Sequence, residues 1–234
     1  MFSPGFVLSP QPSALSPQPS APSPRSRYNA LVNQRGKLHI GCGQVNLRGW
    51  INVDNQQYPG VDRVLDVTQG LPFSDLEFIF AEHFIEHLAY DDAARFLSEC
   101  RRVLRPEGIL RLSTPNLDWV WMTHYHLGSW SDASQQVGDC FNLNKAFRGW
   151  GHQFLYNREA LRETLMSAGF GEIEYVSYGQ SRHGELQNLE KHETYHDVPE
   201  LPHILVVEAS GRSSGNSQTL VQPLADFRQA VSAR

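Results

Sequence analysis

Residues 38–54, LHIGCGQVNLRGWINVD, contain the pattern that decides the fold of this chain. Residues 37–40 predict a strand, Gly41-Cys42-Gly43 predicts a tight turn, and residues 50–54 predict a second strand that ends on Asp54. Glycine lets the backbone approach a ligand that a Cβ would hold off, and an acid at the next strand end can accept both hydroxyls of a ribose. The stretch therefore predicts half of a nucleotide-cofactor site. A G-x-G pair alone is a weak signal, because most such pairs are ordinary turns.

The composition indicates one folded domain with some appended sequence. Of 234 residues, 40% are hydrophobic, which is enough for one sizeable core. The net charge is −5, but no acid precedes Asp54, so the five basic residues before it leave the remainder at −10. The basic cluster Arg101, Arg102 and Arg105 is explained equally well by a solvated helix face. A nucleic-acid partner needs clustered basic residues on the folded body, and we therefore expect none.

The cysteines and the hydropathy pattern predict a cytoplasmic protein. Cys42, Cys100 and Cys140 are far apart and form no C-x-x-C pair, as expected of reduced thiols. No apolar run is long enough to predict a membrane span. Residues 1–8 lack the basic start and long apolar core of a signal peptide, so none is expected.

The chain divides into three predicted segments. Residues 1–27 contain a direct repeat, LSPQPSA, and their proline density predicts a disordered leader that the fold does not need. Residues 28–210 form the predicted folded body. Residues 211–234 begin as a Ser/Gly linker and form a flexible tail with a short amphipathic helix at 223–231, which could dock on the body or on a partner.

Strands alternate with a helix through the first part of the body, which indicates a parallel α/β sheet. Asp91 is the expected cap of the first helix, and Asn157 is the expected cap of a later one. The predicted strands are 61–65, 76–81, 108–113, 172–178 and 203–208, and the first helix is 91–105. Ligands of such sheets bind outside the carboxyl ends of the strands. The residues expected at that edge are Gly41-Cys42-Gly43, Asp54, Asp66, Glu82 and Asn116.

Residues 117–156 interrupt this alternation with an aromatic, irregular stretch. Because it is inserted after the carboxyl end of a strand, it could form a lid or a substrate pocket. A small packing layer that merely covers the sheet would give the same composition. The sequence leaves these two interpretations open.

Four motifs in succession resemble those of class I S-adenosylmethionine-dependent methyltransferases. They are LHIGCG, WINVD, DVTQGLPFSDLEFIFAEHFIEHL and RRVLRPEGILRLSTPN. The resemblance is closest to a small bacterial group of predicted methyltransferases of unknown substrate. It is strong over residues 37–116 and looser from HQFLYNREALRETLMSAGF to the final strand. It implies a Rossmann-like, doubly wound sheet of seven mostly parallel strands with one antiparallel strand, S-adenosylmethionine as cofactor, and an unidentified methyl acceptor.

The resemblance also implies roles for individual residues. Gly41, Cys42 and Gly43 would line the methionine and ribose part of the cofactor. Asp54 would bind the ribose hydroxyls, and Asp66 would face the adenine amino group. Glu82 and His83 follow the fourth strand, where the family places cofactor and acceptor contacts.

The chain departs from the family pattern in three places. His39 stands where the first motif usually has an acid, and Val45 occupies the third glycine position. Pro106-Glu107-Gly108 replaces the usual proline-glycine-glycine. The span from Gly43 to Asp54 is too short for the usual crossover helix, which needs a dozen or more residues with its loops. A nearly extended segment at about 3.3 Å per residue could still return along the strand.

Other functions remain open at this point. His83-Phe84-Ile85-Glu86-His87 formally matches the H-x-x-E-H motif of a zinc hydrolase, if the segment is helical. No third ligand is evident, and we expect no metal site. A nicotinamide site shares the glycine turn but needs G-x-G-x-x-G, and Asn46 stands where the third glycine would be. A protein that binds S-adenosylmethionine without turnover, or that regulates a partner, is the further alternative.

The expected mechanism is methyl transfer to an acceptor held in line behind the sulfonium methyl carbon, where positioning supplies most of the acceleration. An acceptor hydroxyl, on a small molecule or a glycan, would benefit from a general base. His83, His87 and His152 are candidates because imidazole titrates near neutrality. We choose His83, which lies nearest to the strand end. Sugars, lipids, small metabolites and proteins all remain open as acceptors.

Overall fold

The structure, a computed structural model, describes residues 36–196, 198 and 200–232. Its strands are β1 (Lys37–Ile40), β2 (Ile51–Asp54), β3 (Arg63–Val64), β4 (Leu76–Glu82), β5 (Leu104–Pro115), β6 (Glu172–Val176) and β7 (Ile204–Ser210). The α-helices are α1 (Tyr90–Val103), α2 (Leu117–His124), α3 (Ala133–Arg148), α4 (Arg158–Ser167) and α5 (Val221–Ser232). Short 3-10 helices lie at Val67–Gln69, Ile85–His87, Gly149–Gly151 and Gly184–Leu186. The predicted leader, residues 1–27, lies outside the described residues.

The strands of the described residues form one seven-stranded sheet in the order β3-β2-β1-β4-β5-β7-β6. Neighbours from β3 through β5 are parallel. Strand β7 runs antiparallel to both β5 and β6 and is thus the one reversed strand. The mostly parallel, Rossmann-like sheet predicted from the sequence is therefore confirmed. The carboxyl ends of β1, β2 and β4 meet at one edge, as the predicted site requires.

The main core lies on the face of the sheet covered by α1 and α4. Leu38 and Ile40 of β1 point to this face and are completely buried. Phe96 of α1 and Leu165 of α4 are buried against the same cluster because apolar residues recur there at helical spacing. Each such side chain contributes roughly 1.5–3 kcal/mol by leaving water. This burial fixes the strand register on which the site depends.

The opposite face is covered by a loop rather than by a helix at its centre. Phe78, Phe80 and Ile109 point to this face and pack with Leu186 and Leu189, which belong to the connection between β6 and β7. On the same side, the fully described connection from Gly43 to β2 contains only turns. The prediction that the first crossover lacks a helix is therefore confirmed, and the β6–β7 loop takes part of its place as cover.

The helix ends test the cap assignments. Asn157 caps α4, since its side chain accepts a hydrogen bond from the Ala160 N–H. The expected Asp91 cap of α1 is wrong: the helix begins after Ala89, and Asp91 lies in the first turn. A carboxylate there still interacts favourably with the helix dipole. Asp91 also forms an ion pair with Arg228 of α5.

The inserted segment and the tail both pack on the body. Trp119 and Val120 of α2 form a separate small cluster with Ala146 and Leu155, and Leu201 of the connection between β6 and β7 packs against it. In α5, the Phe227 ring contacts Tyr90 and Phe154, so the tail helix docks on the body. The sequence had left that choice open. Within the described residues, every helix is too short or too polar to cross a bilayer.

Candidate functional site

In the turn after β1, Gly41 and Gly43 lack a side chain for two different reasons. Gly41 and Gly43 both have positive φ, +65° and +51°. A Cβ on Gly41 would lie 2.5 Å from the Phe84 ring, so Gly41 is needed for packing. A Cβ on Gly43 would meet nothing within 4 Å. Gly43 therefore leaves open space in which a cofactor can come close to the protein backbone.

Asp54 is fixed beside this turn. One carboxylate oxygen accepts a hydrogen bond from the Gly43 N–H at 2.8 Å, and the other accepts from the Gln56 N–H at 3.0 Å. Each oxygen keeps a lone pair, so the carboxylate can still accept from two hydroxyls. The arrangement fits the ribose of a nucleotide cofactor.

Cys42, between the two glycines, points into the protein. The residue is 3% exposed, and its backbone N–H donates to the Val53 carbonyl at 3.1 Å. Burial, and to a lesser extent the charge of Asp54, raises the pKa of the Cys42 thiol to about 11. The thiol therefore stays protonated near neutral pH, and Cys42 shapes the turn through its buried side chain and its backbone hydrogen bonds.

Asp66 lies on the same edge as Asp54. The Leu65 N–H donates to the Asp54 carbonyl at 2.8 Å, which joins the exits of β2 and β3. One Asp66 oxygen accepts from both the N–H and the hydroxyl of Thr68, and these hydrogen bonds lower the pKa of Asp66. The exposed carboxylate thus caps the short helix Val67–Gln69 and faces solvent at the rim.

The Glu82 carboxylate accepts hydrogen bonds from the loop between β6 and β7. It accepts from the backbone N–H groups of Lys191, at 2.8 Å, and His192, at 3.0 Å. Burial acts to raise the pKa of Glu82, but these bonds and the His192 side chain outweigh it and lower the pKa. Glu82 therefore holds the loop against the end of β4 in this conformation.

His39 lies away from the glycine turn, on the loop-covered face. Its Nδ1 is 3.1 Å from the Asn52 side-chain oxygen, and its ring stacks on Phe80. Burial lowers the pKa of His39. The residue that replaces the family's acid is thus a buried link between β1 and β2.

His83 is held in an unusual backbone conformation directly after β4. Its φ is +45°, a region that non-glycine residues rarely adopt and that recurs at functional sites. Nδ1 lies 3.0 Å from Glu86 Oε1, while Nε2 is buried without a hydrogen-bond partner among the described residues. The ring also packs on His192 at 4.3 Å. Nε2 therefore keeps hydrogen-bonding capacity that no described residue uses.

The H-x-x-E-H segment does not form the helix that a zinc hydrolase of that type needs. Only Ile85–His87 is helical, as a single 3-10 turn, and His83 lies before it. Glu86 is completely buried and accepts a hydrogen bond from the Thr114 hydroxyl at 2.9 Å. The condition under which His83 and His87 would share one helical face, a helical segment, is therefore not met, and a water-activating glutamate would not be reachable from solvent.

A cavity of about 620 Å³ opens beside His83. The aromatic insertion supplies one wall, with Trp119, Trp150 and Lys145, and the β6–β7 loop supplies another, with Tyr195. Histidines are the common feature of its lining: His83, His87, His124, His152, His192 and His203. The insertion thus builds a pocket, one of the two alternatives left by the sequence. His192, His203 and Tyr195 were not predicted here, although the histidine content of the loop was a signal.

Phe84 connects this pocket to the glycine turn. Its ring fills the space beside Gly41, and the adjacent residue, His83, lines the pocket. Consecutive side chains after β4 therefore reach two sites, the candidate cofactor edge and the cavity. A reaction between two bound molecules needs this proximity.

Comparison with known proteins gives one family match. Residues 47–112 match the family model for a methyltransferase domain. These residues include β2 and Asp54 as well as the segment from β4 to the middle of β5. No curated protein sequence matches the chain significantly.

Solved structures with a similar fold include several methyltransferases. The CMeT domain of the citrinin polyketide synthase is 14% identical with a TM-score of 0.43, over 76% of this chain and 46% of that one. The small RNA methyltransferase HEN1 is 16% identical with a TM-score of 0.48, over 88% and 28%. A SAM-dependent methyltransferase from Thermotoga maritima is 17% identical with a TM-score of 0.46, over 80% and 90%.

This chain spans less than half the length of the first two of these proteins. With TM-scores below 0.5, the likenesses carry no information on the acceptor. The match at residues 47–112 covers β2 to the middle of β5 and includes Asp54, whereas β1 and the glycine turn lie before it. Over residues 47–112 the chain is thus similar to a methyltransferase domain, a similarity that implies S-adenosylmethionine as the cofactor.

Proposed function

We propose that this protein transfers the methyl group of S-adenosylmethionine to a hydroxyl of an acceptor bound in the histidine-lined cavity. The observation that carries the proposal is His83, which lines the cavity, directly precedes the Phe84 ring packed beside Gly41, and has an Nε2 without a hydrogen-bond partner among the described residues. A small molecule or a single residue of a glycan is the acceptor class that the cavity supports. Its volume lies within the range of small-molecule sites, and its lining combines aromatic walls with a few polar groups.

Five residues are proposed to hold the cofactor. Gly43 leaves room for the cofactor beside the protein backbone, and Gly41 and Cys42 shape the turn. Asp54 accepts the ribose hydroxyls, and Asp66 faces the adenine amino group from the neighbouring rim position. Glu82 supports the site indirectly, because it fixes the loop that carries His192.

His83 is the proposed general base. When bound, the cofactor supplies an electrophilic methyl carbon on a sulfonium. The acceptor oxygen forms a bond to that carbon, the carbon–sulfur bond breaks with its electron pair going to sulfur, and the hydroxyl proton passes to His83 Nε2. S-adenosylhomocysteine and the methyl ether are the products. Glu86, 3.0 Å from Nδ1, orients the ring for this transfer.

The test uses calorimetry and product release. S-adenosylmethionine is titrated into the full chain, and S-adenosylhomocysteine release is then measured with a panel of sugars, glycans and small alcohols and phenols. We expect binding, and release with at least one panel compound. His83→Gln should keep the cofactor affinity and lose roughly 10²- to 10⁴-fold in kcat, the usual contribution of a general base.

Binding without release across the panel would favour the alternative of a non-catalytic cofactor-binding protein. Unchanged kcat in His83→Gln would remove His83 from the chemistry but leave the methyl transfer intact. The matched control is His126→Gln, whose histidine pairs with Asp139 and is outside the cavity lining.

We further propose a cytoplasmic location without a nucleic-acid partner. Cys42 and Cys100 are buried free thiols and Cys140 is an exposed one, which supports a reducing compartment. The net charge of −5 opposes binding to a phosphate backbone.

A further inference from the structure

We infer that Glu86, His87 and His152 form a binding site for a divalent transition-metal ion in the wall of the acceptor cavity. Metal binding itself is independent of methyl transfer; only its role toward the acceptor hydroxyl rests on the proposed function. The site differs from the zinc motif suggested by the sequence, because His152 comes from the insertion and His83 is not a ligand.

The three side chains converge in space although His152 is far in sequence from Glu86 and His87. Each offers one ligand atom, and these atoms all lie within 4.8 Å of one another. The His87 and His152 rings meet edge to face at 5.1 Å, and both line the cavity. Ligand atoms about 2.0–2.1 Å from a tetrahedral metal are roughly 3.4 Å apart. Small side-chain rotations therefore suffice to close the site.

The backbone around the site is braced. The Glu86 carbonyl accepts hydrogen bonds from the Gln153 and Phe154 N–H groups, and the Gln153 side chain donates to the His87 carbonyl at 2.7 Å. The turn that carries Glu86 and His87 is thus joined to the segment that carries His152. Ligands held on two such segments are preorganised relative to each other.

His152 has the orientation of a metal-binding histidine. Its Nδ1 lies 2.7 Å from the Ala146 carbonyl, to which an imidazole N–H donates. This bond fixes the tautomer and leaves Nε2 with a free lone pair. Metal-ligating histidines usually donate their second nitrogen to a carbonyl or carboxylate in this way.

Glu86 provides the independent sign that a cation is expected. It is completely buried, and Oε1 has no hydrogen-bond partner among the described residues. His83 Nδ1 approaches it at ion-pair distance, but Oε1 keeps lone-pair capacity. Beyond this contact with His83, the buried oxygen has no described partner, and a bound cation would satisfy its remaining lone pair.

The donor set selects the class of ion. Two imidazoles and a carboxylate suit Zn²⁺, Co²⁺, Ni²⁺ or Fe²⁺, whereas Mg²⁺ and Ca²⁺ prefer oxygen donors. Three protein ligands leave positions open, as in catalytic rather than structural sites. An ion bound there would act as a Lewis acid that favours deprotonation of an acceptor hydroxyl. The inferred methyl acceptor is therefore a compound that presents a hydroxyl oxygen to the ion.

The test is Co²⁺ titration of the full chain, without an affinity tag and without cofactor, followed by visible absorption and calorimetry. We expect one Co²⁺ per chain with absorption bands of a low-coordinate nitrogen and oxygen site. His87→Ala and His152→Ala should each weaken binding at least about a hundredfold, since loss of even a supporting partner costs 10–100-fold. His124→Ala, which removes another cavity histidine, should keep the stoichiometry and the spectrum.

Two results would overturn the inference: no Co²⁺ bound at millimolar concentration, or binding that survives in both His87→Ala and His152→Ala. Because Glu86 is buried and Glu86→Gln could unfold the protein, the histidine variants carry the test, with circular dichroism melts to verify folding. Calorimetry with S-adenosylmethionine alone separates the two proposals. Cofactor binding without Co²⁺ binding rejects the metal site only, and the reverse rejects the cofactor site only.

Discussion

At the residue scale, the candidate cofactor site depends on how Asp54 and the glycine turn share hydrogen bonds. The Asp54 carboxylate is held by the Gly43 and Gln56 N–H groups, so its direction is set by the backbone. A side chain prepared in this way loses little entropy when it binds a ribose. The same bonds make Asp54 part of the turn, and a variant should preserve its shape.

Asp54→Asn is the first prediction. The amide keeps the shape and one acceptor but loses the charge and the second acceptor. We expect the affinity for S-adenosylmethionine to fall about ten- to a hundredfold, because hydrogen bonds to a charged group are worth about 1.5–3 kcal/mol. Calorimetry measures this. The control is Glu107→Gln, which changes an exposed carboxylate near the amino end of β5, the end opposite to the candidate site. Wild-type affinity in Asp54→Asn would reject the site.

Gly41→Ala and Gly43→Ala form the second prediction, because the two glycines should fail differently. Both substitutions place a Cβ at positive φ, but only at Gly41 does it collide with Phe84. We expect Gly41→Ala to lower the free energy of unfolding by about 2–4 kcal/mol and Gly43→Ala by about 1–2 kcal/mol. Urea denaturation measures both.

Cofactor affinity supplies the complementary measurement for this pair. Gly43→Ala should weaken S-adenosylmethionine binding out of proportion to its small stability loss, since its Cβ occupies open space at the cofactor edge. Equal effects of the two substitutions on stability and on affinity would contradict the division of roles.

At the scale of elements, the β6–β7 loop covers one face of the sheet, as a helix would, and also forms one wall of the cavity. Leu186 and Leu189 cover the second face of the sheet, and Tyr195 lines the cavity. Its attachment to β4 runs through Glu82, which accepts from Lys191 and His192. The position of one cavity wall therefore depends on a contact between a strand end and a loop.

The third prediction concerns the pH dependence of that attachment. The hydrogen bond with Glu82 raises the pKa of His192 above 6.5, so its contribution is complete below pH 6.5 and is lost as pH rises through the raised value. The pKa of Glu82 is lowered from 4.5, so its contribution is complete above pH 4.5 and is lost as pH falls through the lowered value. The contact should be strongest between pH 4.5 and 6.5.

Urea denaturation of wild type and His192→Gln tests this. The free energy of unfolding of wild type should exceed that of His192→Gln by more at pH 5.5 than at pH 8.5. The difference should stay below about 1 kcal/mol because His192 is largely exposed. In a Glu82→Gln background, the effect of His192→Gln should lose this pH dependence. A difference that grows toward pH 8.5 would show that the ion pair has been assigned the wrong sign.

At the scale of the whole molecule, a buried charge cluster joins the sheet to the loop. Arg111 of β5 is completely buried and donates to Glu190 of the loop at 2.7 Å and to Glu208 of β7 at 2.6 Å. A third hydrogen bond goes to the Gln180 carbonyl at 2.9 Å. Two buried carboxylates thus depend on a single guanidinium.

Arg111→Met is the fourth prediction. The apolar side chain fills similar volume but leaves Glu190 and Glu208 without their cation, so we expect a loss of about 3–5 kcal/mol in the free energy of unfolding. Arg182→Met is the matched control, since its ion pair with Glu174 is exposed and worth about 0–1 kcal/mol. Thermal and urea denaturation measure both variants. A loss as small as in the control would mean that the cluster contributes little to stability.

The sequence by itself determined the fold and the position of several polar residues at the strand ends along one edge of the sheet. The apolar runs and their polar ends at Asp54 and Glu82 predicted a parallel sheet and its binding edge, because strand periodicity and turn chemistry are local properties. The short span after Gly43 predicted a crossover without a helix for the same reason. The cap at Asp91 failed, because a helix start is fixed only to within a residue or two.

Tertiary structure alone decided what these positions do. It turned Glu82 toward the β6–β7 loop, filled the space beside Gly41 with Phe84, and placed His39 on the opposite face. It also brought His152 next to His87, across a separation in sequence that no local pattern spans. The physical reason is that a side chain's partner depends on packing between distant segments, whereas its strand or turn depends on its neighbours in sequence.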